Sequence, residues 1–306
     1  MKNFLPTIFG TAAIAIVQSQ VALSQTIDNV EAIAEQVTVQ IYPSLGDPGS
    51  GVIIGKHEDI YYVLTARHVL DAVKAGEEAD LDTYDGKTHQ IDISKIEKLP
   101  NNVDLLLLQF ESDQDYPIAT ISDFNYRLYR TNDYENSLFT DASPKQYVFV
   151  SGWPITKEEA KRVFTPGYLF DNSGTAISHQ PDISEEDEFG GYELIYTNLT
   201  HPGMSGGPVL DTQGRLIGIH GRADGRQIGE EDEIIRDYLD EVGPPVRIKV
   251  GLSQGISIKT FLSWASTRTF YDYLNIEDSA PSPLSQAIVN DWQPPIAIEN
   301  TDNPYY

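Results

Sequence analysis

Residues 201–210 read His-Pro-Gly-Met-Ser-Gly-Gly-Pro-Val-Leu and set Ser205 among glycines at 203, 206 and 207. A serine hydroxyl is a weak nucleophile until a base takes its proton and donors hold the oxyanion that forms. Glycines permit the tight backbone and the close approach to a substrate that such a loop needs. The same string also suits a plain Gly-Pro turn between strands, so the chemistry depends on its partners. Two earlier residues have the required types. His68 follows Tyr61-Tyr62-Val63-Leu64-Thr65, and Asp104 stands at the mouth of the apolar run Leu105-Leu106-Leu107-Leu108. Each alone reads equally well as a core histidine or a strand-entry acid; an acid, an imidazole and a hydroxyl together can relay a proton away from a nucleophile.

The elements that must position these residues are mostly strands. Val37–Tyr42 alternates and is rich in β-branched residues, and Val52–Gly55, Tyr61–Thr65, Gln146–Ser151, Tyr192–Asn198 and the hairpin Val209-Leu210/Leu216–Gly221 follow, with turn residues between them. Such spacing predicts β-barrels. Ala66-Arg67-His68-Val69-Leu70 changes to helical spacing, which places His68 on a short turn at the end of a core strand. Residues 111–144 are loop-rich and mark the junction between two halves. A helix is expected over Glu230–Val242, with acids in its first turn and Gly243-Pro244-Pro245 after it, and another over Lys259–Leu274. Residues 25–36 read as a polar, weakly helical leader to the fold.

In the order His68, Asp104, Ser205 the sequence resembles the trypsin-like (chymotrypsin-fold) serine proteases over roughly residues 37–262. Thr65-Ala66-Arg67-His68, Asp104 with its apolar strand, and Gly203-Met204-Ser205-Gly206-Gly207-Pro208 look like that family's three motifs. The resemblance implies an all-β fold of two six-stranded antiparallel barrels with a C-terminal helix. It also implies a serine endopeptidase acting through an acyl-enzyme. Ser205 would attack, His68 would act as base and Asp104 would orient it. The N–H groups of Gly203 and Ser205 would form the oxyanion hole. The alternative nucleophile elbow of α/β-hydrolases fails on context, because Pro208-Val209-Leu210 continues as strand where a helix is needed. Two departures stand out. Met204 replaces the acid that many members pair with a newly cut N-terminus, and Gly221 replaces a serine common after the position of His220.

The same resemblance bears on specificity. Leu199 lies six residues before Ser205, where trypsin itself carries an acid, so preference for Arg or Lys is not expected. Thr200 and His220 are similar to the pair with which glutamyl endopeptidases hold an acidic side chain, since a hydroxyl and an imidazole can both donate to a carboxylate. Cleavage after Glu is the resulting expectation. The net charge of -25 works against it, because it repels acidic substrates.

That charge also disfavours nucleic acid and anionic membranes as partners; the resemblance implies a polypeptide substrate. Nothing in the pattern sets an oligomeric state. The 306 residues contain no cysteine, which excludes disulfides and thiolate chemistry. Asp80, Asp82 and Asp85 lack the EF-hand spacing and its closing Glu, so neither a metal nor a cofactor is expected. Lys2, the apolar run Phe4–Val17 and small residues at Ala22 and Ser24 match a secretory signal peptide over 1–24, cleaved near Ser24-Gln25. The expected plan is an exported protease domain over 25–275, secreted or periplasmic, with a flexible tail over 276–306. Rival readings are a catalytically inactive homologue that serves as a binding module, and a chaperone-like or regulated protease with a partner-binding tail.

Overall fold

The computed structural model describes residues 27–74, 77–126, 147–155, 161–171, 190–223, 226–227, 249–250 and 253–282. The expected signal peptide and the expected helix over 230–242 lie outside these residues, as does the tail beyond 282.

The strands are β1 (Thr38–Pro43), β2 (Gly49–His57), β3 (Ile60–Thr65), β4 (Ala79–Asp82), β5 (Thr88–Gln90), β6 (Glu97–Lys98), β7 (Leu106–Glu111), β8 (Thr120–Ser122), β9 (Tyr147–Gly152), β10 (Val163–Asp171), β11 (Tyr192–Tyr196), β12 (Pro208–Leu210), β13 (Leu216–Ala223), β14 (Arg226–Gln227), β15 (Lys249–Val250), β16 (Ser253–Ser257) and β17 (Asn275–Glu277). The first sheet runs β5-β4-β1-β2-β3-β7-β6. A bridge between Ile91 and Phe110 brings the end of β5 back against β7, so six strands make the ring and the two-residue β6 is an addition. The second sheet runs β12-β9-β10-β11-β16-β13-β8-β17, and β12 pairs with β13 to close six of its strands into a barrel. The two-barrel, all-β expectation therefore holds. β8 lies outside that ring of six and pairs in parallel with β13 and with β17. β14 and β15 form a separate ribbon.

Side-chain alternation explains why several strands are apolar on both faces. On β3, Tyr61 and Val63 point into the first barrel's core, while Tyr62 and Leu64 join a core shared by the two barrels. On β7 the same division separates Leu106 and Leu108 from Leu107. The second barrel encloses Val148, Val150, Leu194, Tyr196, Met204 and Ile217. The shared core welds the barrels together.

Two α-helices close the seam. α1 covers residues 27–37, and its stripe of Ile27, Val30, Ala34 and Val37 is buried in the shared core. The segment expected as a leader is thus part of the fold; its apolar residues recur at helical spacing within a polar composition. α2 (Ile258–Ala265) buries Ile258, Phe261, Leu262 and Ala265. It ends earlier than the expected Lys259–Leu274. Arg268 is extended, Arg268 Nη1 donates to the Trp264 carbonyl at 2.5 Å, and a 3-10 turn takes over at Thr269–Tyr273. The β-branched, hydroxyl-rich Ser266-Thr267-Arg268-Thr269 favours that break.

The chain remains docked past residue 275. Glu277 lies in β17, Arg215 Nη1 donates to the Ser279 carbonyl at 2.7 Å, and Thr212 Oγ1 donates to the Ser282 carbonyl at 2.6 Å.

Candidate active site

β3 delivers His68. Its last residue, Thr65, donates from Oγ1 to the Ser50 carbonyl at 2.6 Å, and the chain then enters the 3-10 turn Arg67–Val69. The imidazole stays 35% exposed while its partner Asp104 is fully buried. His68 Nδ1 lies 2.7 Å from Asp104 Oδ2, and the His68 backbone N–H donates to Oδ1 at 2.9 Å. With its Nδ1 proton on the carboxylate, the ring presents Nε2 as an acceptor. Asp104 follows a turn in which Asn101 and Asn102 both have positive φ, at 60° and 54°. Asparagine is among the few side chains that adopt this region readily. The Asp104 N–H then donates to the Gly190 carbonyl at 2.9 Å, which ties the acid to the second barrel.

The serine loop is held from both barrels. Ser50 on β2 donates through Oγ to the Gly203 carbonyl at 2.8 Å, and its N–H donates to the Ser205 carbonyl at 2.8 Å. Ser50, near the start of β2, is the clamp on the loop. From the second barrel, the Gly206 N–H donates to the His220 carbonyl at 2.7 Å. Gly206 has φ +88°, and a Cβ there would fall 2.0 Å from the Ser50 carbonyl oxygen, so the clamp closes only on glycine. Met204 is fully buried in the second barrel's core, packed against Gly152. Apolar burial thus anchors the loop at the position where many relatives carry an acid.

Peptide planarity orients the two candidate oxyanion donors. The Pro202 carbonyl accepts from the Ile155 N–H at 2.8 Å, and the Met204 carbonyl accepts from the Gly207 N–H at 3.0 Å. In a trans peptide the N–H points opposite to the C=O, so the amides of Gly203 and Ser205 face away from those bonds. Among the described residues neither amide donates to an acceptor. Ser205 Oγ donates to the Gly221 carbonyl at 2.9 Å rather than to His68.

The candidate specificity residues are arranged differently. Leu199 is 37% exposed, at the surface. Thr200 and His220 are buried. Thr200 Oγ1 lies 2.7 Å from Ser253 Oγ, which donates to the Asn198 carbonyl at 2.8 Å. The one Ser253 proton goes to that carbonyl, so Thr200 is the donor in its bond to Ser253. His220 Nδ1 lies 2.7 Å from the hydroxyl of Tyr196. Full burial raises the pKa of that phenol well above its ordinary value, so it keeps its proton. The buried O–H is satisfied when Nδ1 accepts it, which puts the imidazole proton on Nε2. Tyr196 and Ser253 carried no local signal in the sequence; a polar residue in an apolar strand is the only hint either offers. Tyr192 was likewise missed: its hydroxyl donates to Asp104 Oδ2 at 2.7 Å.

The family described as Trypsin-like peptidase domain matches residues 49–219. The chain is similar to Serine protease Do-like HtrA of Bacillus subtilis (strain 168), with 25% identity over 185 residues, covering 60% of this chain and 34% of that protein. The match therefore spans about a third of that relative's length.

Proposed function

The chain belongs to the trypsin-like peptidase domain family, and from that premise we propose that it is an exported serine endopeptidase with His68, Asp104 and Ser205 as its triad. The observation that carries this reading is the 2.7 Å pairing of His68 Nδ1 with a fully buried Asp104, reached from separate strands beside a loop that presents Ser205. In the first step the Ser205 hydroxyl turns from the Gly221 carbonyl toward His68. Nε2 takes its proton as Oγ bonds to the scissile carbonyl carbon. The carbonyl oxygen gains the negative charge and lies against the N–H groups of Gly203 and Ser205. The imidazolium, held by Asp104, gives its proton to the leaving amine as the C–N bond breaks. Water, deprotonated by the same imidazole, then releases the acid and restores Ser205.

Within this proposal the protease domain runs from α1 to residue 282, preceded by the signal peptide over 1–24. No helix of the described residues is long and apolar enough to cross a membrane. The preference for an acidic P1 side chain rests on His220, whose Nε2 proton is the donor suited to a carboxylate. Thr200 contributes a donor only if its bond to Ser253 is broken. The pairing of Ser205 Oγ with Gly221 favours one second reading, a catalytically inactive homologue that keeps the fold as a binding module.

A peptide library varied at P1, with Ser205→Ala as control, separates these readings. The proposal expects cleavage after Glu, lost in the control and weakened in His220→Ala. Cleavage after other residues keeps the triad and removes the acidic pocket. A folded chain that cuts nothing favours the binding module.

A further inference from the structure

Asp104 Oδ2 accepts two hydrogen bonds, one from His68 on its own barrel and one from the hydroxyl of Tyr192 on the other. Tyr192 opens β11, immediately after the segment that docks on the acid's loop. There Gly190 accepts from the Asp104 N–H and donates its own N–H to the Asn102 carbonyl at 2.9 Å, and Val103 and Gly190 form a parallel bridge. The ring has a fitted place. A Cβ on Gly221 would lie 2.2 Å from its Cε1 atom, so the ring fits there because residue 221 has no side chain. The Arg222 guanidinium lies over the ring, 4.3 Å from its centroid, and Arg222 Nε donates to Gln254 Oε1 at 3.0 Å. The second barrel thus builds a slot for one tyrosine and aims its hydroxyl across the seam at the buried carboxylate.

We propose that Tyr192 is a positioning residue for the triad: its hydroxyl fixes the plane of the Asp104 carboxylate and, through it, the orientation of the His68 ring. This inference rests on the triad reading above. Without Tyr192, Asp104 is held at Oδ1 by the His68 backbone N–H and at Oδ2 by the imidazole, so both bonds come from the residue it must orient. The Oδ2 side would then rock with the ring, and productive orientation would be lost for part of the time. A donor on a separate rigid element removes that freedom. The same bond draws charge on Oδ2 away from the imidazole, so its removal leaves the carboxylate gripping the protonated ring more tightly.

The test is Tyr192→Phe in the full chain, which keeps the ring, its place beside Gly221 and its contact with Arg222. The expected result is a kcat lowered about tenfold at unchanged KM, an acid limb of the kcat/KM–pH profile moved to higher pH, and an unchanged far-ultraviolet spectrum. Wild-type kcat with an unmoved pH profile overturns the inference. So does a loss matched by a smaller folded fraction in a thermal melt, since that describes packing alone. Asp104→Asn is measured beside it. If Asp104→Asn keeps wild-type activity, the triad reading itself fails. If it is inactive while Tyr192→Phe is fully active, the triad stands and the role of Tyr192 falls.

Discussion

Asp104 and Thr200 are both fully buried polar residues, yet their bonds lead in opposite directions. The Asp104 carboxylate receives the His68 N–H, the His68 imidazole and the Tyr192 hydroxyl, and so fixes an imidazole that is itself partly exposed. Thr200 gives its proton to Ser253, which passes its own to the Asn198 carbonyl, and the relay ends inside the second barrel. His220 falls between them: the Tyr196 hydroxyl occupies Nδ1 and leaves the proton on Nε2. A residue of the right type at the right spacing is therefore not enough. What matters is whether its neighbours direct its donor or acceptor outward, and burial obliges each group to have a partner somewhere.

Breaking the acid side of this comparison has the largest expected effect. Asp104→Asn lowers kcat about 10,000-fold by favouring the wrong imidazole tautomer, and Ser205→Ala lowers it at least as far; steady-state hydrolysis of the best library peptide reads both. A loss of only severalfold in Asp104→Asn would place the acid on the same footing as Thr200 and dissolve the contrast. Next comes the loop that both sides share. Gly206→Ala forces a Cβ to within 2.0 Å of the Ser50 carbonyl oxygen at a φ of +88°. Urea unfolding should show a loss of about 3 kcal/mol, accompanied by reduced hydrolysis.

The specificity side responds more weakly. Tyr196→Phe deprives His220 Nδ1 of its donor and lets the imidazole proton settle on either nitrogen. We expect kcat/KM for Glu at P1 to fall about fivefold, with other P1 residues unaffected. Ser253→Ala sharpens the comparison from the other direction. It removes the group that takes the Thr200 proton and frees that proton for a substrate carboxylate. The ratio of kcat/KM for Glu over Gln at P1 should rise by about threefold. A fall in that ratio would mean that Ser253 supports the pocket rather than competing with it.

The two-barrel plan was legible because its determinants are local. Tyr61–Thr65 and Leu105–Leu108 are apolar on both faces, as strands between two cores must be, and turn residues separate them. His68, Asp104 and Ser205 stood out as candidates because each stands beside a strand end or a glycine loop that the chain itself announces. The missed residues act at a distance in sequence. Ser50 holds a loop more than 150 residues away, and Tyr192 reaches an acid 88 residues earlier. Tyr196 and Ser253 look like ordinary strand residues, and their bonds exist only because β11, β13 and β16 are neighbours in the closed barrel. α1 was underestimated because four buried residues at helical spacing stand out weakly among acids and glutamine. The early end of α2 depends on where Arg268 caps Trp264, a contact that spacing alone does not reveal.

The central claim, that Ser205 is the activated nucleophile, is tested most directly by treating the chain with a fluorophosphonate and mapping the adduct by peptide mass spectrometry. An activated Ser205 takes the one adduct, and His68→Ala loses it at equal folded fraction. A folded chain that takes no adduct, or carries it on another residue, has a different nucleophile or none.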